Sequence, residues 1–208
     1  MISEVFEIYR ETFRTLHARH DVPMPNSALE LGALPTSACI LTCPELHGVS
    51  KRVGVNLTQW GTVDGVSVVP GDARKLDYPD DSFDLVVTSS MLEHIPDFWL
   101  AISEMKRVLA PGGFLIINTP GFTETPLGNR ARAWAFKIGL PDVLKRATLT
   151  MRIHDAPHDY YRFSEHCYRD VFMAGLDEVK IWSTMLPPRT FGMGRKPMAA
   201  APTPAGKA

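Results

Sequence analysis

Cysteine is scarce in this chain: Cys39, Cys43 and Cys167 are all there is, and no two of them form a C-x-x-C pair. An odd set without paired spacing supports neither a disulfide framework nor a zinc site, so reduced, mostly buried thiols are expected. An excess charge of one sign is also missing. Over 208 residues, 22 Lys and Arg face 23 Asp and Glu, leaving a net charge of -1. Counterion release on a polyanion needs basic side chains gathered on one face, so nucleic acid is not expected as a partner. No apolar run approaches the roughly 20 residues that cross a bilayer, and the N-terminus shows no charged-then-apolar export signal. No membrane partner is expected, and the expected location is cytoplasmic. Internal repeats are absent as well, and nothing in the pattern specifies an oligomeric state.

What remains is a composition of 45% hydrophobic and 22% charged residues, which suits one globular domain with a sizeable core. Residues 83–88 and 114–118 are near-continuous apolar runs, as expected of parallel strands covered on both faces. Between them Pro96 and Asp97 offer a helix start, Phe98, Ile102, Met105 and Leu109 recur at helical spacing, and Pro111, Gly112 and Gly113 offer a stop. Earlier strands are predicted at 27–33, 52–57 and 66–69, each bounded by Gly, Pro or Asn. An N-terminal helix presents Ile2, Val5, Phe6, Tyr9, Phe13 and Leu16 as one stripe. A later helix opened by Ser164 and Glu165 carries Tyr168, Val171, Phe172 and Leu176 on one face, followed by a strand at 178–184 and a short return ending at Gly194. The fold class is therefore α/β: a Rossmann-like, doubly wound, mostly parallel sheet with an antiparallel last strand, in three α/β/α layers.

Residues 71–120 also carry a specific resemblance. Asp72, Ala73, Leu76, Tyr78, Asp81 through Asp84, Leu92 through Ile95, Asp97, Arg107 through Leu109, and Pro111 through Gly113 fall where class I S-adenosylmethionine-dependent methyltransferases of the small-molecule type keep their signature residues. The resemblance extends more weakly from about residue 28 to 197. It implies a methyltransferase-like domain at 26–197, while the residues themselves read as a helical cap at 1–25, a lid insertion at about 121–164 without a clean strand, and a floppy tail at 198–208 rich in Ala, Pro and Gly. It also implies the cofactor, S-adenosyl-L-methionine.

In open parallel sheets, ligands lie beyond the carboxyl ends of the strands at the topological switch point. The loop after strand one keeps Glu30 and Gly32 of the family's glycine-rich turn but has Leu34 and Thr36 where glycines normally stand, which narrows the space under the cofactor. Asn56 stands where an acid normally takes the ribose hydroxyls. A neutral amide there weakens that interaction, and Asn56 is equally suited to capping its own turn. The resemblance implies that Asp72 receives the adenine amino group and that the Ala73 backbone meets the ring edge. Ser89 and Ser90 then border the methyl end, although Ser90 also suits a helix cap. A dehydrogenase would need G-x-G-x-x-G after strand one, which is missing.

Methyl transfer can draw much of its acceleration from positioning, with a base near neutral pKa where the acceptor is a hydroxyl. His158, His154 and Tyr160 are the candidate catalytic residues, in a segment that resembles the family's H-D-Y-x-R-F element together with Arg162. The alternative for this segment is a turn capped by His158 and Asp159 over a core of Tyr161 and Phe163. His94, His17 and His20 are weaker candidates. A metal is not indicated, because Pro157 breaks any helix that would bring His154 and His158 together. The expected function is methyl transfer to an oxygen or nitrogen of a small-molecule acceptor. The alternative is a noncatalytic or repurposed member of the fold with weak or no cofactor binding.

Overall fold

In the computed structural model, residues 3–123, 149–153, 158–185 and 187–198 are described. Helix α1 (Ser3–His17) precedes β1 (Ser27–Leu31), and two 3-10 turns, Ile40–Thr42 and Pro44–Leu46, lead to β2 (Lys51–Asn56). β3 (Gly61–Val63), β4 (Val66–Pro70) and β5 (Phe83–Ser89) follow, then a 3-10 turn at Leu92–His94, helix α2 (Phe98–Val108) and β6 (Leu109–Pro120). The short strands β7 (Phe122–Thr123) and β8 (Leu149–Thr150) pair with each other. Helix α3 (Glu165–Cys167), continued by a π turn at Tyr168–Phe172, leads to β9 (Asp177–Met185) and β10 (Pro188–Arg195).

The large sheet runs β3-β4-β2-β1-β5-β6-β10-β9. β4, β2, β1, β5 and β6 are mutually parallel, while β10 runs antiparallel between β6 and β9. This is the expected doubly wound sheet with its reversed last strand. Chain order turns back between β1 and β5, so the loops leaving these two strands diverge and open a crevice.

Alternation along the strands feeds two cores. Ala28, Leu85, Val87, Phe114 and Ile116 pack with Val5, Tyr9, Phe13 and Leu16 of α1. Leu29, Leu31, Val86, Leu115 and Ile117 pack with Ala101, Ile102 and Met105 of α2 and with Tyr168 and Phe172. Burial of both faces is why the strands read as unbroken apolar runs. The N-terminal helix lies on the sheet as its stripe requires. Buried Tyr9 donates its hydroxyl to the Thr88 carbonyl at 2.7 Å, and its ring meets Phe191, which stacks on Trp182. Ile2 lies outside the described residues.

Several local expectations shift. β1 ends at Leu31 rather than at 33, because Gly32 turns to φ +78° and both Gly32 and Ala33 donate to the Val55 carbonyl. β3 is an unanticipated antiparallel edge strand. β6 begins at Leu109, directly after α2, since Pro111, Gly112 and Gly113 form an irregular start of the strand, with Gly112 and Gly113 bonded to Lys196. The helix at Ser164 is short. Ser164 caps it by accepting from Cys167 N, and the π turn leaves Tyr168 and Phe172 buried while Val171 is exposed. Cys39 and Cys43 are buried and Cys167 half-buried, all three as free thiols. No described helix is long and apolar enough to cross a membrane. Most of the expected lid (residues 124–148 and 154–157) lies outside the described residues, as does the tail beyond Met198.

Candidate functional site

A cavity of about 550 Å³ opens at the carboxyl ends of β1, β2, β4 and β5, at the switch point. A smaller one, about 350 Å³, lies at the opposite end of the sheet against Asp84, Phe114 and Met198. Only the first is bordered by the loops on which open α/β sheets hold their ligands. Its wall includes Glu30, Gly32, Asn56, Asp72, Ala73, Ser89 and Ser90, so the seven residues expected around a cofactor converge on one space.

Gly32 is required twice over. Its φ of +78° favours glycine, and a Cβ there would lie 2.9 Å from Met91 Cβ, closing the crevice between the β1 and β5 loops. Leu34 also borders the cavity, which nevertheless stays open. Glu30 turns its carboxylate under the first loop: Oε2 accepts from Ile40 N at 2.7 Å, Leu41 N at 3.2 Å and Cys39 Sγ at 3.1 Å. Burial pushes the Glu30 carboxyl up to about 7 despite these three donors. The carboxylate thus fixes the 3-10 turn that stands where the glycine-rich family loop enters a helix.

Asn56 ties two loops together. Its Nδ2 donates to the Ala33 carbonyl at 2.7 Å, and its Oδ1 accepts from Thr58 N at 2.9 Å and Gln59 N at 3.0 Å. This is the turn-capping geometry that the residue type favours. Asp72 accepts from Arg74 N at 2.9 Å and forms an ion pair with its guanidinium at 2.7 Å. Arg74 also reaches Asp97 at 3.2 Å. The hydrogen bonds from Arg74 hold the Asp72 carboxyl below its ordinary value. Ala73 is buried beside this turn.

Ser90 adopts φ +53°, an uncommon conformation for a residue with a Cβ, at the mouth of the crevice. Its amide donates to the Asn118 carbonyl at 2.9 Å, and its Oγ accepts from Arg189 Nη1 at 2.7 Å. Asn118 Oδ1 accepts from Ser89 Oγ at 3.1 Å and from Arg189 Nη1 at 2.9 Å, which fastens the β5 loop to β6 and β10. Arg189, Asn118 and Glu93 went unrecognised in the sequence. Glu93 stands there only as part of the 92–95 signature run, and the further signal for it is polarity beside buried Leu92 and half-buried Ile95.

The segment at 158–163 runs along the turn after β5. Tyr160 N donates to the Glu93 carbonyl at 2.8 Å, the His158 carbonyl meets His94 Nδ1 at 2.6 Å, and Tyr161 donates to the Pro96 carbonyl at 2.6 Å. The His158 ring is exposed and tilts against half-exposed Tyr160, whereas Tyr161 and Phe163 pack around Phe98. Arg162 and Asp159 form a buried ion pair. His94 borders the cavity. His154 lies outside the described residues. His17 borders the smaller cavity, with burial lowering its pKa. Among the described residues, no group of three His, Cys, Asp or Glu side chains is placed to hold a metal ion.

Residues 36–117 match the methyltransferase domain family. The demethylmenaquinone methyltransferase of Staphylococcus aureus (strain JH9) is 35% identical over 80 residues, 38% of this chain and 33% of that protein. The match thus spans about a third of the length of the curated relative. Among solved structures, phosphoethanolamine N-methyltransferase 2 of Haemonchus contortus in complex with S-adenosyl-L-methionine superposes with a TM-score of 0.58 at 13% identity, covering 90% of this chain and 53% of that one. The [4+2]-cyclase SpnF gives a TM-score of 0.58 at 14% identity over 91% of this chain and 82% of its own. These structural likenesses speak to the fold, and the sequence match speaks to its central motifs. Taken with the strand order and the cleft at the switch point, they show that the chain has the fold of these methyltransferase-like structures and that its residues 36–117 are similar to the methyltransferase domain family.

Proposed function

We propose that this protein is an enzyme that transfers a methyl group from S-adenosyl-L-methionine to an oxygen or nitrogen of a small-molecule acceptor. The open cavity of about 550 Å³ at the switch point carries this reading, because it lies within the size range of small-molecule sites and all four expected loops border it. When bound, the cofactor supplies an electrophilic methyl group on a positively charged sulfur. Gly32 admits the backbone close to it, the turn at Asp72 and Ala73 meets the adenine, and Ser89 and Ser90 border the methyl end. The acceptor enters beside His94, His158 and Tyr160, beneath the lid proposed at residues 121–164.

A second reading has its own support. Arg74 occupies the Asp72 carboxylate, and the Asn56 amide is taken up by Ala33, Thr58 and Gln59. Both groups would have to exchange partners to hold adenosine, as in a repurposed member of the fold with weak binding. Calorimetric titration with S-adenosylmethionine and S-adenosylhomocysteine separates the two. Micromolar binding that weakens about tenfold in Asp72→Ala supports the enzyme. No heat at millimolar ligand overturns it in favour of the repurposed protein.

A further inference from the structure

Behind the Ser90 wall of the cleft lies a buried charged cluster in which Arg189 holds the β5 loop and Glu93 holds none of the cofactor loops through its carboxylate. Glu93 is fully buried, and neither of its carboxylate oxygens has a hydrogen-bond partner among the described residues. Nearby, buried Arg189 uses Nη1 on Ser90 and Asn118, while its Nε has no partner among the described residues. An unmade bond on a buried carboxylate costs more than an exposed one, and such groups call for a physical explanation.

We propose that Glu93 receives, by way of His94, the proton that the acceptor loses in the cleft, so that the acceptor atom is one that carries an O–H or N–H bond. This rests on the methyl-transfer reading above and deepens it. His94 borders the cleft, and its Nε2 lies 3.8 Å from Glu93 Oε1. Its Nδ1 contacts the His158 carbonyl at 2.6 Å, which sets the ring with Nε2 toward the carboxylate. The acceptor's O–H or N–H bond breaks with its electron pair left on the acceptor atom, an N–H bond forms at His94 Nε2 and breaks in turn, and an O–H bond forms on Glu93. A negative carboxylate becomes neutral. Glu93 acts through His94 and does not touch the acceptor, which makes it a positioning residue.

The surroundings suit a proton held near neutrality. Burial raises Glu93 to about 7, opposed by Arg189 from β10 and Arg162 from the 158–163 segment and reinforced by Asp159 from the same segment. The hydroxyl of Tyr168, from the π turn after α3, also feels the Glu93 charge. A base whose pKa lies near the operating pH transfers protons most effectively.

Carbon-detected NMR of the Glu93 side-chain carboxyl, assigned with Glu93→Gln or with Glu93→Asp where the first does not fold, tests this on the full chain. The carboxyl is titrated with saturating S-adenosylhomocysteine and then with S-adenosylmethionine, which differ by one positive charge at sulfur. A carboxyl coupled to the reacting centre titrates near neutral pH with the neutral ligand. It shifts down by about half a pH unit or more, a threefold change in proton affinity, with the charged one. A carboxylate too far from the reacting centre to exchange a proton with it gives the same curve with both ligands. If both ligands perturb the Asp72 and Ala73 amides while the Glu93 curves coincide, or if Glu93 stays ionised down to its ordinary range, this inference fails alone. If neither ligand perturbs those amides, the methyl-transfer reading falls and the inference falls with it.

Discussion

Replacing Glu30 by Gln should make the protein more stable, and only above a definite pH. In the fold, burial lifts the Glu30 carboxyl from 4.5 to about 7, which corresponds to about 3 kcal/mol by the free energy of a pKa change. The sign follows from proton counting. Between pH 4.5 and 7 the native chain holds a proton on Glu30 that the unfolded chain has released, so stability falls as pH rises through this window and levels off above it. Below the window the penalty disappears. Gln keeps an oxygen to accept from Ile40 N, Leu41 N and Cys39 Sγ but cannot ionise. Urea unfolding of both proteins from pH 4.5 to 8.5 isolates the effect, because Glu93 and every other titrating group cancel in the difference. The two proteins should be about equally stable at the acid end, and the variant should gain about 3 kcal/mol by pH 8. A difference that does not change with pH would refute the claim that burial outweighs the three hydrogen bonds.

Other substitutions probe the remaining joints of the site. Gly32→Ala forces a Cβ into the left-handed region and against Met91, and should cost about 1–3 kcal/mol in chemical denaturation while weakening S-adenosylhomocysteine binding. Normal stability with unchanged binding would show that the β1 loop can turn another way. Tyr9→Phe removes the hydroxyl bonded to the Thr88 carbonyl and should lower stability by about 1–2 kcal/mol, read as a lower denaturation midpoint at unchanged slope. Arg74→Ala releases Asp72 from a half-exposed ion pair of the kind worth roughly 0.2–1 kcal/mol. Affinity for S-adenosylhomocysteine should then rise up to about fivefold by calorimetry, and a loss of affinity would make Arg74 itself a ligand contact.

Strands β5 and β6 were legible because burial on both faces leaves no polar alternation to blur a run such as 114–118, whereas β2 and β4, with exposed Lys51 and Ser67, were found from the Gly, Pro and Asn that bound them. β3 was hidden for the opposite reason, since Gly61 and Thr62 are exposed and pair on one edge only. At residues 168–172 a five-residue winding looks like ordinary helical spacing until Val171 is found facing outward. The site's positions were readable from motif spacing, whereas the direction of each side chain was not. Glu30 and Asn56 border the cleft yet spend their oxygens on backbone amides. Arg189 reaches Ser90 from 99 residues away, a meeting made by sheet topology and by no local pattern.

The placement of β10 between β6 and β9 bears on how the chain is made. While a ribosome is still translating the stretch before residue 188, the outer edge of β6 offers its amides and carbonyls to any passing strand, and β9 lacks its partner in the large sheet. The eight residues of β10 seal both at once.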